Sequence, residues 1–316
     1  MSTRIREIGV FLTIVALMLL LAWHTTGYFS PANLTDLFLA NMPVMIIAVG
    51  MTMIILTGEI DISVGSIFAI CSVVMGLCAS RGMPIAISAL IACIAGAVCG
   101  ALNGALIAYV RIPSIVATLA TMVALRDGLR WYTQGSWIQG LPPQFQWLGQ
   151  SQKVFTTLCV VVVVFVVGIT AWALNQLRVG RAVIATGSNK AAAHRVGIDT
   201  QRVIFGVFAL SGVLAGLAAV LNSVRFNQVP SNSGLGLELK VIAAVAVGGA
   251  AITGGSATMT GTVLGVVLLG CIGSALTFFG INAYWEKAIQ GGIILIAVTV
   301  DTLHLHRRDN AYTLSA

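Results

Sequence analysis

Long apolar segments alternate with short polar connections along the whole chain. Each segment is close to the ~20 apolar residues that a helix needs to cross a bilayer, so the pattern predicts ten transmembrane helices. The second and eighth segments are short and glycine-rich enough to form broken or re-entrant helices. The predicted helices occupy residues 8–23, 39–57, 62–80, 85–110, 114–133, 154–176, 203–224, 238–255, 258–281 and 285–303.

The composition excludes a water-soluble globular protein. Of the 316 residues, 58% are hydrophobic and only 9% are charged, whereas roughly 25% are charged in an ordinary soluble domain. The outer surface must therefore face lipid. Ten spans leave too few residues for an extramembrane domain of normal size. The chain is predicted to be one all-α polytopic membrane domain over residues 1–316.

Basic residues orient the predicted helices. The connection 178–202 contains five Lys or Arg residues and a single acid, Asp199. Because connections rich in Lys and Arg stay in the cytoplasm, this segment is predicted to be cytoplasmic, and so are both termini. The connections 133–153 and 225–237 are predicted to lie outside. The first apolar run continues into Trp23 without a small-residue cleavage site, so it is predicted to stay as an anchored helix.

The sequence lacks the residues that several classes of function require. The net charge is +7, but the basic residues are scattered rather than gathered on one face, which argues against nucleic acid as a partner. The six cysteines lie in apolar segments without CxxC or histidine spacing, and nucleotide-hydrolysis and metalloprotease motifs are absent from the sequence. The sequence therefore predicts no catalytic or metal-binding residues and no cofactor.

Neutral polar residues within the predicted spans are candidates for a solute pathway. Hydroxyl and amide groups suit an uncharged polyol, which needs hydrogen-bond donors and acceptors rather than a counter-ion. The same groups also bond between helices in many membrane proteins, so that alternative stays open. No carboxylate is expected at membrane depth, which leaves an ion-coupled carrier without a coupling site. The candidate pathway residues are Asn103, Thr118, Thr121 and Asn222.

Charged residues near the ends of the spans have two interpretations. Arg126, Arg130 and Glu238 lie near the predicted outer ends, where they could form surface ion pairs or dock an external partner. Asp61 precedes the third predicted helix and could cap it by accepting free amide hydrogens, or could contact the solute or a partner.

The cytoplasmic connection 178–202 contains the most distinctive pattern. Ser188 is a possible N-cap, three alanines follow as helix formers, and Gly197 is a C-terminal stop, which predicts a short helix. The small residues Ala192 and Ala193 would let another protein approach closely. A solvated loop is the alternative.

Four segments resemble the membrane permeases of bacterial sugar ATP-binding-cassette (ABC) importers, including ribose, xylose, rhamnose and autoinducer-2 permeases. The resemblance covers nearly the whole chain in the expected order. The segments are TGEIDISVGS (57–66), NGALIAYVRIPSIVATLAT (103–121), ATGSNKAAAHRVGID (185–199) and GLGLELKVIAAVAVGGAAITGG (234–255).

The resemblance implies a fold similar to that of the cobalamin importer (type II), in which two permease subunits, identical or paralogous, enclose a central path. It also implies cytoplasmic ABC ATPase subunits, a periplasmic sugar-binding protein and a place in the bacterial inner membrane. ATP hydrolysis would then belong to the ATPase and not to this chain. The residues matching the family's ATPase-coupling helix are Ser188, Asn189, Ala192, Ala193, Gly197 and Ile198.

The segments agree on the family but point to more than one solute. The family often has glycine where Glu59 stands, and different segments are similar to the autoinducer-2 and rhamnose permeases. The expected function is inward passage of a neutral sugar, either rhamnose, autoinducer-2 or a pentose. An ion-coupled secondary sugar carrier and a branched-chain amino-acid ABC permease are the alternatives, and a membrane-embedded enzyme would need a catalytic cluster at depth.

Overall fold

A computed structural model describes residues 3–146, 151–282 and 284–313, and this part of the chain is helical throughout. Twelve α-helices and one short 3-10 turn (Pro143–Gln146) form in it, and the described residues contain no β-strand beyond an isolated antiparallel bridge between Ile138 and Val229. The helices are α1 (Thr3–His24), α2 (Pro31–Leu56), α3 (Val64–Ser80), α4 (Ile85–Ala108), α5 (Ser114–Thr133), α6 (Gln152–Gln176), α7 (Arg178–Ser188), α8 (Lys190–Arg195), α9 (Thr200–Ser223), α10 (Leu237–Val247), α11 (Met259–Phe278) and α12 (Tyr284–Thr313).

Six of the described helices are long and apolar enough to cross a membrane: α1, α2, α4, α6, α9 and α11. Each of the ten predicted segments overlaps one helix, with differences at the ends. The break expected in the second segment is absent, because α2 runs without interruption over 26 residues. The eighth segment forms a helix of only 11 residues, α10. The connection 178–202 forms two helices, α7 and α8, where one was predicted.

Glycines bring α4 and α9 into close antiparallel contact. A methyl group at Gly96 or Gly100 of α4 would overlap the carbonyl oxygens of Gly212 and Phe208 of α9, respectively. Small residues are typical of membrane helix pairs, because they let two backbones approach closely where there is no hydrophobic driving force between helices. The α4–α9 pair lies against α2 and α3, and α2 is apolar on all sides and mostly buried.

Two sets of contacts show which helix ends lie together. Glu7 near the start of α1 accepts hydrogen bonds from the hydroxyls of Thr258 and Thr260 at the start of α11. Tyr28, which follows α1, packs edge-on against Phe278 at the end of α11, with ring centroids 5.1 Å apart. Helices α1 and α11 therefore run in the same direction.

Candidate functional site

Two glycine turns meet where α2 ends. The turn after α2 contains Gly58, and the connection between α10 and α11 contains Gly254 and Gly255. The Gly255 amide donates to the Leu56 carbonyl oxygen over 3.0 Å. Gly254 has φ of +94°, and a Cβ atom there would lie 2.8 Å from the Cα of Gly58, so both its backbone conformation and its contact require glycine.

The C-terminal end of α7 contacts both the end of α2, where the first turn begins, and the turn that contains Gly254 and Gly255. A methyl group at Gly187 would overlap the Leu56 carbonyl oxygen and lie 2.8 Å from the Gly255 amide nitrogen. A Cβ atom at Gly255 would in turn lie 2.6 Å from the Ser188 hydroxyl oxygen. These backbone contacts leave no free space, so a displacement of α7 acts directly on both turns. We name the contact of Gly187 and Ser188 with the two turns the α7 junction.

Helix α8 follows directly and has a well-formed cap at each end. The Asn189 side chain accepts a hydrogen bond from the Ala192 amide over 2.9 Å. At the other end, the Gly197 amide donates to the His194 carbonyl and the Ile198 amide donates to the Ala193 carbonyl, each over 3.1 Å, which is a Schellman motif. The predicted stop at Gly197 is confirmed.

The predicted cap at Ser188 is wrong by one residue. Ser188 is the last residue of α7, and its hydroxyl donates to the Ile184 carbonyl over 2.9 Å. Asn189 has the extended backbone of an N-cap, and its side-chain oxygen reaches the free amide that a cap must satisfy.

The residues matched to the coupling helix differ in exposure. Asn189, Ala192 and Gly197 are exposed, and Ile198 is partly buried. Ala193 is only 4% exposed, so its methyl group packs within this chain. This burial corrects the expectation that both alanines present a surface to another protein, and it leaves Ala192 as the accessible one.

Glu59 connects the turn after α2 to α8. Its carboxylate lies 3.5 Å from the Lys190 ammonium nitrogen, and the Lys190 side chain is largely exposed, so the pair stabilises the fold little. The two residues border a cavity of about 840 Å³ between α8 and the α4–α5 connection. Other charged or titratable residues of this cavity are Arg111, His194 and Asp199.

A buried polar network begins at Asp61. Its Oδ1 atom accepts from the Ser63 amide over 2.8 Å and from the Ser63 hydroxyl over 2.6 Å. The Asn103 amide nitrogen donates to the same hydroxyl over 2.7 Å. Asp61 therefore stabilises the turn before α3. It does not cap the first-turn amides of α3, which follow two residues later. Asp61 is therefore a carboxylate buried within the protein, in the α2–α3 connection, whereas the expectation concerned carboxylates at membrane depth.

Burial raises the pKa of the Asp61 carboxyl, in the α2–α3 connection, to about 6, although the hydrogen bonds from Ser63 lower it. A carboxyl with a raised pKa contributes stability that is fully present below its ordinary value of 3.8 and is lost as the pH rises through about 6. We expect Asp61→Asn to melt at a higher temperature than the wild type at pH 8, and this difference to shrink as the pH falls to 5. Thermal unfolding in detergent measures it, with Asp127→Asn, which removes an exposed carboxylate, as the control. A variant less stable than the wild type at pH 8 would contradict the prediction.

The four candidate pathway residues are not brought together. Asn103 belongs to the Asp61 network, and the buried Thr118 hydroxyl donates to the Ser114 carbonyl over 2.7 Å. The Thr121 hydroxyl bonds within its own helix. Asn222 is at the end of α9, about 25 Å of helix from Phe205, and Phe205 lies against Gly104, the neighbour of Asn103 in the sequence. The hydrogen bond of Asn103 fits the alternative of bonding between segments, and the pathway role of the four residues stays a prediction.

The three candidate docking residues do not share one exposed surface. Arg126 is 6% exposed and Glu238 is 8% exposed, so neither side chain belongs to the outer surface of this chain. Arg126 donates to the Ser233 carbonyl over 2.8 Å, while Glu238 packs directly on Gly65 at the start of α3. Arg130 is exposed and pairs with Asp127 at 3.3 Å. The docking hypothesis therefore applies to Arg130 alone.

A polar cluster between α10 and α12 was not predicted from the sequence. The Lys240 ammonium lies 3.0 Å from the Glu286 carboxylate, and the Gln290 amide donates to the same oxygen over 3.1 Å. A signal was present, because Glu286 and Gln290 lie four residues apart at the start of the tenth predicted span.

The comparisons with known proteins identify the family. A family model described as "Branched-chain amino acid transport system / permease component" matches residues 33–298. The chain belongs to this permease family. Among its relatives is the autoinducer 2 import system permease protein LsrC of Enterobacter sp. (strain 638), which is 35% identical over 94% of this chain and 86% of its own length. The LsrC proteins of Salmonella typhi and Yersinia pseudotuberculosis (serotype O:1b, strain IP 31758) are 36% and 35% identical over 94% of this chain and 85% and 84% of theirs. No solved structure matches the chain.

The family match confirms the resemblance to permeases of sugar ABC importers. Its relatives are named as permease proteins of import systems. Together with the apolar helices, the match identifies this permease as a multi-pass protein of the inner membrane.

Proposed function

We propose that this permease is the membrane subunit of an ATP-driven importer of a small neutral sugar. In this proposal α1 to α6, α9, α11 and α12 cross the membrane in a type II arrangement, α10 crosses together with the connection that follows it, and α7 and α8 lie at the cytoplasmic end. The α7 junction is the observation that carries the proposal. Through it, a cytoplasmic motor would have direct mechanical contact with the α2–α3 pair and the α10–α11 pair of helices.

The proposed orientation rests on charge and on the helix ends. The exposed Lys190 and Arg195 lie on α8, and the α7 junction joins the end of α2 to the connection before α11. Since α1 and α11 run in the same direction, the N-terminus lies at this basic end as well, and basic connections stay in the cytoplasm. The C-terminus follows on the same side after an even number of crossings.

The proposed partners are ABC ATPase subunits that bind α8, a periplasmic sugar-binding protein and a second permease subunit. Asn189, Ala192 and Gly197 offer an exposed helix surface for the ATPase, with Ser188 and Ile198 at its edges. ATP-driven motion at α8 would pass through the α7 junction to α2 and α11. Arg130 is the remaining candidate for contact with the binding protein.

The relatives favour a sugar-like solute. Three of them are named as permeases of autoinducer 2 import systems, whereas the family description names branched-chain amino acids. Autoinducer 2, rhamnose and a pentose are therefore the first solutes to test, and leucine represents the zwitterionic alternative.

The decisive experiment reconstitutes the permease, with the ATPase and binding protein that co-purify with it, into lipid vesicles. We expect uptake of one of the sugars to require ATP and to persist without an ion gradient. Uptake driven by a gradient without ATP, and abolished by Asp61→Asn, would instead establish the ion-coupled carrier.

The exposed Ala192 provides a test of the ATPase contact. We expect Ala192→Trp to reduce co-purification of the ATPase by about tenfold or more, because a bulky side chain at a close contact costs at least ~1.4 kcal/mol. Ala120→Trp is the control, since Ala120 is exposed on α5 away from α8. Normal co-purification and uptake in Ala192→Trp would exclude this surface as the ATPase contact.

A further inference from the structure

The polar cluster of Lys240, Glu286 and Gln290 borders a cavity of about 390 Å³. The cavity lies between the turn 234–237, the first turns of α10 and the start of α12, and Tyr284 and Lys287 complete its rim. Gln290 is buried beneath it, and the Lys240 and Glu286 side chains are partly buried. We name this space the α10–α12 cavity.

Its polar groups do not suit a surface that faces hydrocarbon. Lys240 and Glu286 lie in the first turns of α10 and α12, at the end that the proposed topology places outside, and charged side chains there are costly unless they meet water or a polar partner. Lys240 and Glu286 come from different helices and converge at 3.0 Å beside open space. The cavity therefore faces water or a solute rather than lipid.

The chemistry of the cavity fits a neutral sugar. The charges of Lys240 and Glu286 neutralise each other, and Lys287 adds one positive charge at the rim, so the cavity offers the donors and acceptors that a neutral polyol needs. The Tyr284 ring is 79% exposed at the rim and can cover the apolar face of a sugar ring. The volume also lies within the usual range of small-molecule sites.

We propose that the α10–α12 cavity is where the permease itself contacts the sugar. This inference rests on the proposed function. Hydroxyl groups of the sugar would bond to the carboxylate of Glu286, the ammonium of Lys240 and the amide of Gln290. The sugar selectivity of transport would then reside partly in this chain.

The test uses the reconstituted complex of the permease with its ATPase and binding protein, and autoinducer 2, rhamnose and a pentose as probes. We expect Gln290→Ala and Glu286→Gln each to lower the rate of sugar uptake at least tenfold. ATP hydrolysis stimulated by the sugar-loaded binding protein should stay within twofold of the wild type. Gln152→Ala is the matched control, because Gln152 is exposed at the start of α6 and away from the cavity.

A double variant separates sugar contact from mere ion pairing. Lys240→Glu with Glu286→Lys exchanges the two charges and can re-form the pair. We expect the double variant to form as much folded complex as the wild type, while its rate of sugar uptake stays low. Full recovery of uptake, or a parallel loss of ATP hydrolysis and uptake in Gln290→Ala, would overturn the proposed contact. Failure of the proposed function is distinguishable, since the wild-type complex would then show no ATP-dependent uptake.

Discussion

Gly187→Val should lower ATP-driven uptake by about tenfold or more. The first side-chain carbon would overlap the Leu56 carbonyl oxygen, which also accepts the hydrogen bond from the Gly255 amide. Overpacking of this kind costs about 1–3 kcal/mol, and here the opposing atoms are backbone atoms that cannot rotate away. Helix α7 would be pushed off the end of α2, so motion at α8 would no longer reach the two turns. Uptake and ATP hydrolysis by reconstituted vesicles measure the loss.

The control for this variant is Gly206→Val. Gly206 is also a helical glycine, near the start of α9, but a Cβ atom there meets no other atom within 4 Å. We expect this control to assemble and transport like the wild type. The yield and melting temperature of Gly187→Val in detergent separate lost coupling from lost folding, and normal uptake in this variant would show that α7 does not bear on the turns.

Gly100→Leu should destabilise the folded chain by at least ~3 kcal/mol. A Cβ atom at Gly100 would overlap the Phe208 carbonyl oxygen and lie 3.1 Å from both the Cα and the amide nitrogen of Gly212. Helices α4 and α9 could then pack only by moving apart, which would open a gap along their whole contact. The fraction of monodisperse protein after heating in detergent measures the effect.

Gly168→Leu is the matched control, because Gly168 of α6 has no other atom within 4 Å of an added Cβ. Leucine is a better helix former than glycine by just under ~1 kcal/mol, so this control should be neutral or slightly stabilising. Equal melting temperatures for the two variants would contradict the close α4–α9 packing.

The sequence predicts the helices well because apolar length is a local property. The stop at Gly197 was also predictable, since a left-handed glycine after a run of helix formers is a local signal. The exact cap was not, because Ser188 and Asn189 are both suitable residues and their choice depends on where α7 ends.

Contacts between distant segments decide the rest. Ala192 and Ala193 are indistinguishable in sequence, yet only the packing of α8 buries one of them. Arg126 and Glu238 look like surface charges at helix ends, but the turn 234–237 folds over them. Asp61 had two interpretations, a cap or a contact with the solute or a partner, and the network in which it is found depends on α4, which brings Asn103 to Ser63.

The α7 junction lies where the turn of Gly58 meets the connection of Gly254, and this contact affects how the subunit can move. One helix end, at Gly187 and Ser188, touches both turns through backbone atoms, with no flexible side chain to absorb a shift of one turn alone. The same contact therefore links two helix pairs, α2 with α3 and α10 with α11. We therefore expect a displacement of α7 to shift both pairs together rather than one pair at a time.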